Sequence, residues 1–361
     1  MSETGDLPIA PGPRSARRGA GRRARHRHRR RVVVWVAVVL VLVVVGGGLA
    51  AWYEFQAHPL GGPGRSELVT VANEESTGSV ISALAARGVI SSSFAFRLGD
   101  LVHGTPTVQP GEYQFRQNST FGAVRQVLAR GPNVFTLEVT PGLTLSEVER
   151  RVGELPIAGS FADALKSGTV TSAYAVPDRA NLEGTIAAGE YTILPGETSI
   201  DLLHQMVERF NQQAAAAHLV AAAGQLGYSP AQLVIIASIV EKEGVYAKNM
   251  GKVSRVIYNR LAKGTPLQMD ATVLYSIGQD GGTVTPADLK LPTPYNTYLH
   301  TGLPPTAICT PSATALAAAA DPTPGGWLYF ELVSKDGTEQ FSDTFAEQLA
   351  AEQLARSQGL P

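Results

Sequence analysis

A long apolar segment near the N-terminus constrains the fold of this chain more than any other feature. Residues 32–52 carry no charge, and their number matches the roughly 20 residues that an α-helix needs to cross a bilayer. Trp35 lies near the start of the segment and Trp52 at its end, as in the aromatic belts found at membrane interfaces. The sequence therefore predicts a single N-terminal transmembrane helix over residues 32–52.

Charge is distributed very unevenly around this segment. Residues 1–31 contain ten arginines against Glu3 and Asp6, although the whole chain has 30 basic and 31 acidic residues. Basic residues next to a membrane span remain on the cytoplasmic side. We therefore expect a cell-membrane protein with one span, a cytoplasmic tail over residues 1–31 and an extracytoplasmic region that starts at Tyr53.

Two alternative roles for the N-terminus stay open. An arginine-rich arm is also typical of nucleic-acid binding. The membrane topology already accounts for the charge, so we expect no nucleic-acid partner. A cleaved signal peptide is the second alternative, because Leu49-Ala50-Ala51 follows the apolar core with small residues. The length of the basic tail and of the apolar run favours an uncleaved anchor.

The remaining composition indicates a globular protein without disulfides or a resident cofactor. Hydrophobic residues make up 44% of the chain and charged residues 17%, as in folded domains. Cys309 is the only cysteine, which excludes an internal disulfide. The histidines are scattered, and no phosphate-binding loop, nucleophile elbow or dinucleotide fingerprint is present. We therefore expect no metal and expect carboxylates and hydrogen bonds to carry any chemistry.

Patterning after the apolar segment predicts an α+β fold. A Pro/Gly-rich linker over residues 53–66 precedes a strand–helix–helix–strand pattern in residues 67–139. A mixed α+β region follows over residues 140–361. Gly111-Glu-Tyr-Gln-Phe115 and its trailing helix resemble Gly189-Glu-Tyr-Thr-Ile193 and the helix after it, which suggests two related units.

The clearest helix in the sequence starts after Tyr228 and ends on two carboxylates. Ser229 is a good N-cap residue, and Pro230 suits the first helical position. Gln232 completes a capping box. Gly244 is suited to a left-handed C′ position just beyond the helix.

The two carboxylates of the last turn, Glu241 and Glu243, should differ in environment. At about 100° per residue, Ile239 and Val240 fall within roughly 60° of Glu243, whereas Glu241 lies about 160° away. An apolar face and the negative end of the helix dipole both disfavour the carboxylate and should raise the pKa of Glu243. A carboxyl that stays protonated near neutral pH suits the general acid of glycosidic-bond cleavage. Alternatively, both glutamates are ordinary charges at a fraying helix end.

The C-terminal half carries six motifs in a specific order and spacing. They are Ala237-Ser-Ile-Val-Glu-Lys-Glu243, Val256-Ile-Tyr-Asn-Arg-Leu261, Leu267-Gln-Met-Asp-Ala-Thr-Val-Leu-Tyr275, Pro292-Thr-Pro-Tyr-Asn-Thr-Tyr298, Gly302-Leu-Pro-Pro305 and Leu328-Tyr-Phe330. Together they resemble the endolytic murein transglycosylases of the MltG (YceG-like) family. The N-terminal half is similar in architecture only, with a LysM-like βααβ module over residues 67–139 before a catalytic domain over residues 140–361.

The resemblance implies a lytic transglycosylase, a carbon–oxygen lyase without a cofactor. Such an enzyme cleaves peptidoglycan glycan strands between N-acetylmuramic acid and N-acetylglucosamine and leaves a 1,6-anhydromuramic end. The family assigns the essential acid to the residue that is Glu243 here, in agreement with the helical-face argument. It also implies that the protein terminates or trims nascent glycan strands, with cell-wall synthesis enzymes as candidate partners.

Five side chains outside the helix are candidates for orienting the sugars and stabilising an oxocarbenium ion. They are Gln268, Asp270, Tyr295, Asn296 and Tyr298. Asp270 is alternatively a second catalytic carboxylate, and the Pro-rich loop around Tyr295 is alternatively a structural connector. The aromatic positions that the family places directly after Glu183 are absent from this chain, although Gly184 and Tyr191 are present.

Two other functions remain open. The first is a peptidoglycan hydrolase in which Glu243 and Asp270 act with water as the nucleophile. The second is a non-catalytic wall-binding protein, against which the apolar setting of Glu243 argues, because burial of an unneeded carboxyl is unfavourable.

Overall fold

The structure, a computed structural model, describes residues 18–177, 181–244 and 246–360 as two compact units with a boundary between Asn133 and Val134. Both contain helices and strands, as the predicted α+β fold requires. The elements are α1 Arg18–Ala57, β1 Ser66–Val71, α2 Thr77–Ala86, α3 Ser93–His103, β2 Gly111–Arg116, α4 Phe121–Arg130, β3 Phe135–Val139, α5 Leu145–Gly153, α6 Phe161–Lys166, β4 Gly189–Ile193, α7 Ser199–Ala216, α8 Leu219–Leu226, α9 Pro230–Glu243, α10 Ala247–Ala262, α11 Asp270–Ser276, α12 Ala313–Ala320, β5 Tyr329–Leu332, β6 Glu339–Ser342 and α13 Phe345–Ser357.

Helix α1 contains the apolar segment. Within the described ranges, Arg29–Ala57 is the one helix that is by itself long and apolar enough to cross a membrane. The C-terminal end of α1 packs into the first unit, where Ala57 is buried and the ring of Tyr53 lies 6.2 Å from that of Phe121. The start of the expected linker is therefore helix, because these apolar side chains join the core of the unit.

The first unit is a two-stranded sheet with helices packed on it. Strands β1 and β2 are antiparallel, with Val69 opposite Tyr113 and Val71 opposite Gly111. Their buried side chains form one core with residues of α2, α3 and α4. This β1-α2-α3-β2 arrangement is the strand–helix–helix–strand order expected for the segment.

The second unit begins with a repetition of the same arrangement. Strands β3 and β4 are antiparallel, and Leu137 lies opposite Tyr191 as Val69 lies opposite Tyr113. Each tyrosine is buried and donates its hydroxyl to the carbonyl four residues before it. Strand β3, which the sequence pattern grouped with the preceding module, thus pairs within the second unit.

The N-cap residues of the helices show which positions of the two copies correspond. The N-caps Ser76 and Thr144 are 68 positions apart, whereas Thr120 and Thr198, which cap α4 and α7, are 78 positions apart. The N-caps of α3 and α6, Ser92 and Ser160, are also 68 positions apart, so the second copy contains ten additional residues between the start of α6 and the start of β4. The echo in the sequence reflects two βααβα units of the same design.

The rest of the second unit surrounds α9. Nine residues of α9 are buried, and helices α8, α10, α11 and α12 pack against it. Strands β5 and β6 form a separate antiparallel hairpin that contacts α13 and α10. A helix that is buried on nearly every side places its C-terminal end, with Glu243, at a fixed point of the second unit.

Candidate functional site

Both ends of α9 are fixed, for different reasons. Its N-terminus has the predicted capping box between Ser229 and Gln232, with Pro230 in the first turn. The predicted left-handed Gly244 is wrong, since its φ is −85°. A β-carbon at Gly244 would stand 2.7 Å from the carbonyl oxygen of Val240, so close packing requires glycine here.

Glu243 ends α9 as a partly buried carboxyl. Its Oε1 accepts a hydrogen bond of 3.2 Å from the backbone N–H of Ala271, at the start of α11. Burial raises the pKa of Glu243 from 4.5 to about 7, and the negative charges of Asp270 and Glu339 act in the same direction. The Ala271 N–H and the Arg260 guanidinium lower that pKa in part. The predicted direction of the pKa shift is confirmed.

The neighbouring charges of the last turn serve the fold. Glu241 accepts a 2.8 Å hydrogen bond from the backbone N–H of Ser312, the N-cap of α12. Lys242 forms an ion pair with Asp280. Neither side chain makes a hydrogen bond to Glu243 in the described part of the chain, as the helical geometry predicts for Glu241.

Three of the five candidate residues, Gln268, Asp270 and Tyr298, lie close to Glu243. Gln268 has φ 51°, a left-handed conformation that is unfavourable outside glycine, and its N–H donates to the Thr297 carbonyl. The hydroxyl of Tyr298 donates to Asp270 at 2.6 Å. Gln268, Asp270 and Tyr298 thus line one cavity with Glu243.

Asn296 lies elsewhere. Its side chain is fully buried, and its amide nitrogen donates to the carbonyls of Leu289 and Leu291 at 3.0 Å each. Its amide oxygen accepts from the N–H of Tyr298. These bonds use the polar atoms of Asn296 to shape the loop, so Asn296 positions Tyr298 and does not face the cavity.

Tyr295 belongs to a second cluster that centres on Glu183. The ring of Tyr295 lies 5.0 Å from that of Tyr275, and the Tyr275 hydroxyl donates to Glu183 at 3.1 Å. The other oxygen of Glu183 accepts from the backbone N–H of Leu145, at the start of α5. Burial raises the pKa of Glu183 to about 7. Glu183 therefore connects the second βααβα copy to helix α11, which contacts Glu243.

The site also contains a positively charged side chain, Arg260, that was not predicted from the sequence. Arg260 is buried, donates to the carbonyls of Leu267 and Leu328, and lies 5.1 Å from the ring centre of Tyr329. Burial lowers its pKa, and the charge of Glu243 raises it. Arg260 lies within the motif Val256–Leu261, which was the only sequence signal for it.

Two cavities meet at Glu243, and a third adjoins the second. The first, of about 440 Å³, contains Gln268, Asp270 and Tyr298 together with side chains of β5, β6 and α13. The second, of about 240 Å³, shares Glu243 and Asp270 with the first. The third, of about 420 Å³, shares Tyr275 with the second and contains Tyr295. The three adjoining cavities form a groove, and Glu243 lies between the first and the second of them.

The lining of the first cavity is acidic and aromatic. Besides Glu243 and Asp270 it contains three further carboxyls and three more aromatic rings. They are Glu331, Glu339, Glu352, Tyr329, Phe330 and Phe345. Burial also raises the pKa values of Glu331 and Glu339. Carboxyl groups and aromatic rings can bind the hydroxyls and the apolar faces of sugars, and a raised pKa provides a proton donor.

Metal-dependent chemistry has no obvious ligand set here. Among the residues that the structure describes, no group of three histidine, cysteine, aspartate or glutamate side chains is arranged to hold an ion. Cys309 is buried, and its thiol contacts the Ser238 carbonyl. The chemistry that this arrangement can perform is proton transfer by carboxyl groups.

Two bacterial proteins are similar to this chain in sequence. An endolytic murein transglycosylase of Bacillus subtilis (strain 168) is 28% identical over 297 residues, which cover 77% of this chain and 82% of the relative. An endolytic murein transglycosylase of Streptococcus pneumoniae serotype 2 is 28% identical over 227 residues, which cover 55% of this chain and 40% of that longer protein.

A solved structure shares the fold. The 2.6 Å crystal structure of a Listeria monocytogenes protein described as YceG-like has a TM-score of 0.54 and 23% identity, and the match covers 79% of this chain and 98% of that one. A sequence profile of the YceG-like family matches residues 69–354, which include Glu243 and every other candidate site residue. This chain therefore belongs to the YceG-like family.

Proposed function

We propose that this protein is an endolytic peptidoglycan lytic transglycosylase with Glu243 as its catalytic acid and base. One observation carries the proposal: a carboxyl with a pKa of about 7 lies along an acidic, aromatic groove. About half of such a carboxyl is protonated at neutral pH, whereas an ordinary glutamate is almost fully ionised. Its relatives named endolytic murein transglycosylases support glycan strands of peptidoglycan as the substrate.

In the proposed mechanism, Glu243 acts twice. It first donates its proton to the oxygen that links C1 of N-acetylmuramic acid to N-acetylglucosamine, and the C1–O bond breaks. The C6 hydroxyl of the same muramic residue then attacks C1, and its proton returns to Glu243. Because the nucleophile belongs to the substrate, the reaction needs no water and gains the advantage of proximity.

Neighbouring side chains assist these steps. Asp270, held by Tyr298, lies next to the N–H that binds Glu243, so its negative charge can stabilise positive charge that develops at C1. Arg260 limits the rise in the pKa of Glu243, so that the acid can also act as a base. The position of Glu243 between the first and second cavities suits a strand that continues in both directions, as internal cleavage requires.

In this proposal the N-terminal half holds the enzyme at the membrane and on its glycan substrate. Residues 32–52 anchor the chain in the cell membrane, with the arginine-rich tail in the cytoplasm and the catalytic domain outside. The β1-α2-α3-β2 arrangement of the first unit is a LysM-like module that binds glycan, and the second unit, from Val134 onward and including β3, is the catalytic domain that cleaves it. Nascent glycan strands and the enzymes that synthesise them are the expected partners at the membrane surface.

The test is digestion of purified peptidoglycan with the full chain in detergent, followed by mass spectrometry of the fragments. If the proposal is correct, the products are internal fragments with 1,6-anhydromuramic ends, and each has the mass of the corresponding hydrolysis product minus one water. Glu243→Gln should abolish the fragments, whereas the matched variant Glu241→Gln should retain them. Fragments with the mass of hydrolysis products would instead indicate Glu243 and Asp270 with water. Cleavage by Glu243→Gln would refute the assignment of the acid.

A further inference from the structure

Helix α3 has an apolar face that the core of the first unit does not cover. Phe94, Leu101 and Val102 are 69%, 83% and 81% exposed, and Leu98 is 40% exposed. At 100° per residue, these four positions lie within an arc of about 100°. The opposite face of α3 packs into the core of the unit. A patch of this kind on a folded protein usually marks a surface that contacts a partner or a membrane.

The position of α3 in the first unit indicates what covers this face. The ring of Phe94 lies 6.3 Å from that of Trp52, the last residue of the apolar segment. Gly99 packs so closely on Tyr53 that a β-carbon there would stand 2.4 Å from the tyrosine hydroxyl. Helix α3 is therefore fixed at the level where the apolar part of α1 ends.

The connection between α1 and the first unit has no flexible joint. Helix α1 continues through the apolar segment to Ala57, which is buried in the core of the unit. After the helix, the carbonyls of Leu60 and Gly62 accept hydrogen bonds from Asn118. With a rise of 1.5 Å per residue, Ala57 is about 8 Å beyond Trp52, which is close to the depth of the interfacial layer of a bilayer.

We propose that the apolar face of α3 inserts into the outer membrane–water interface and docks the first unit on the lipid surface. The inference rests on the membrane anchor proposed above. Interfacial helices bury their apolar face about 5–10 Å into the boundary between headgroups and acyl chains. With α1 and α3 both in the bilayer, the first unit keeps one orientation to the membrane.

Probe depth in liposomes tests this inference on the full chain. Cys309 is buried, so a small environment-sensitive fluorophore can be attached to single introduced cysteines, with the unsubstituted chain as the labelling blank. Leu101→Cys reports on α3, and Val39→Cys reports on the anchor. His103→Cys is the matched control, because His103 is exposed about 160° around the same helix from Leu101. Nitroxide lipids in phosphatidylcholine–phosphatidylglycerol liposomes quench the probe according to its depth.

Nitroxides near the headgroups should quench the Leu101 probe several-fold more strongly than the His103 probe. Nitroxides deep in the bilayer should quench the Val39 probe. Adding Phe94→Ser and Val102→Ser should reduce the quenching at Leu101. A quenched Val39 probe with equal quenching at Leu101 and His103 would overturn the docking and leave the anchor intact. An unquenched Val39 probe would overturn the anchor and the docking together.

Discussion

Replacing Glu243 with glutamine should make the protein inactive and, above neutral pH, more stable. The folded chain raises the pKa of Glu243 from 4.5 to about 7, mainly by burial. Between these values the folded state keeps a proton that the unfolded state loses, so stability falls as pH rises and the loss is complete above pH 7. At 1.36 kcal/mol per pH unit, the full loss is about 3 kcal/mol. Solvent in the groove reaches this partly buried carboxyl, which reduces the expected loss to about 1–3 kcal/mol.

Glutamine removes this loss without removing the hydrogen bond, because its amide oxygen can still accept from the Ala271 N–H. The unfolding midpoint of Glu243→Gln should therefore exceed that of the parent by roughly 2–10 °C at pH 8.5 and match it at pH 4. Calorimetry of the full chain in detergent measures both. Glu241→Gln, which keeps the buried acid, is the control. An equal difference between Glu243→Gln and parent at the two pH values would refute the argument that ionisation of Glu243 is unfavourable in the fold.

Three further substitutions test the surroundings of the acid. Asp270→Asn removes a negative charge and should therefore lower the pKa of Glu243. The falling limb of the pH–rate profile should then move to lower pH. A limb that does not move would mean that the charge of Asp270 does not affect Glu243. Glu183→Ala should destabilise the protein by about 1–3 kcal/mol in chemical denaturation at pH 4, because the N–H of Leu145 loses its acceptor, whereas Glu183→Gln should have a much smaller effect. At this pH the raised pKa of Glu183 contributes no difference between the variants, because the carboxyl is protonated in the folded chain and largely protonated in the unfolded one. Gly244→Ala should lower the unfolding free energy by about 1–3 kcal/mol through overpacking, and a neutral result would mean that the turn relaxes freely.

Sequence reasoning succeeded where the determinants are local. The capping box at Ser229 and the apolar run of residues 32–52 depend on residues a few positions apart, and the structure has helices at both. Gly244 was correctly predicted to follow the end of α9, but the reason given, a left-handed backbone conformation, was wrong. Glycine is required at position 244 by the neighbouring Val240 carbonyl and by Met250, and such crowding has no sequence signature.

Determinants that come from tertiary packing were missed. Glu243 was predicted to share one apolar face of α9 with Ile239 and Val240, yet nearly every side of the helix is buried, so burial of Glu243 follows from its surroundings and not from one apolar stripe. Arg260 and Glu339 reach the groove from α10 and from β6, far apart in the chain. Asn296 shares a motif with Tyr298, but its polar atoms bond the loop backbone. A motif therefore predicted which residues belong together without predicting which of them face the groove.

The two βααβα copies differ most in the connection that leads into their second strand. The additional residues before β4 occur in the second copy, and Glu183 lies in that connection, where it bonds to Tyr275 of α11. The equivalent connection in the first copy, residues 104–110, leads directly into β2. The longer connection of the second copy thus supplies Glu183, which braces helix α11 beside Glu243, whereas residues 104–110 contain no carboxylate that could do the same.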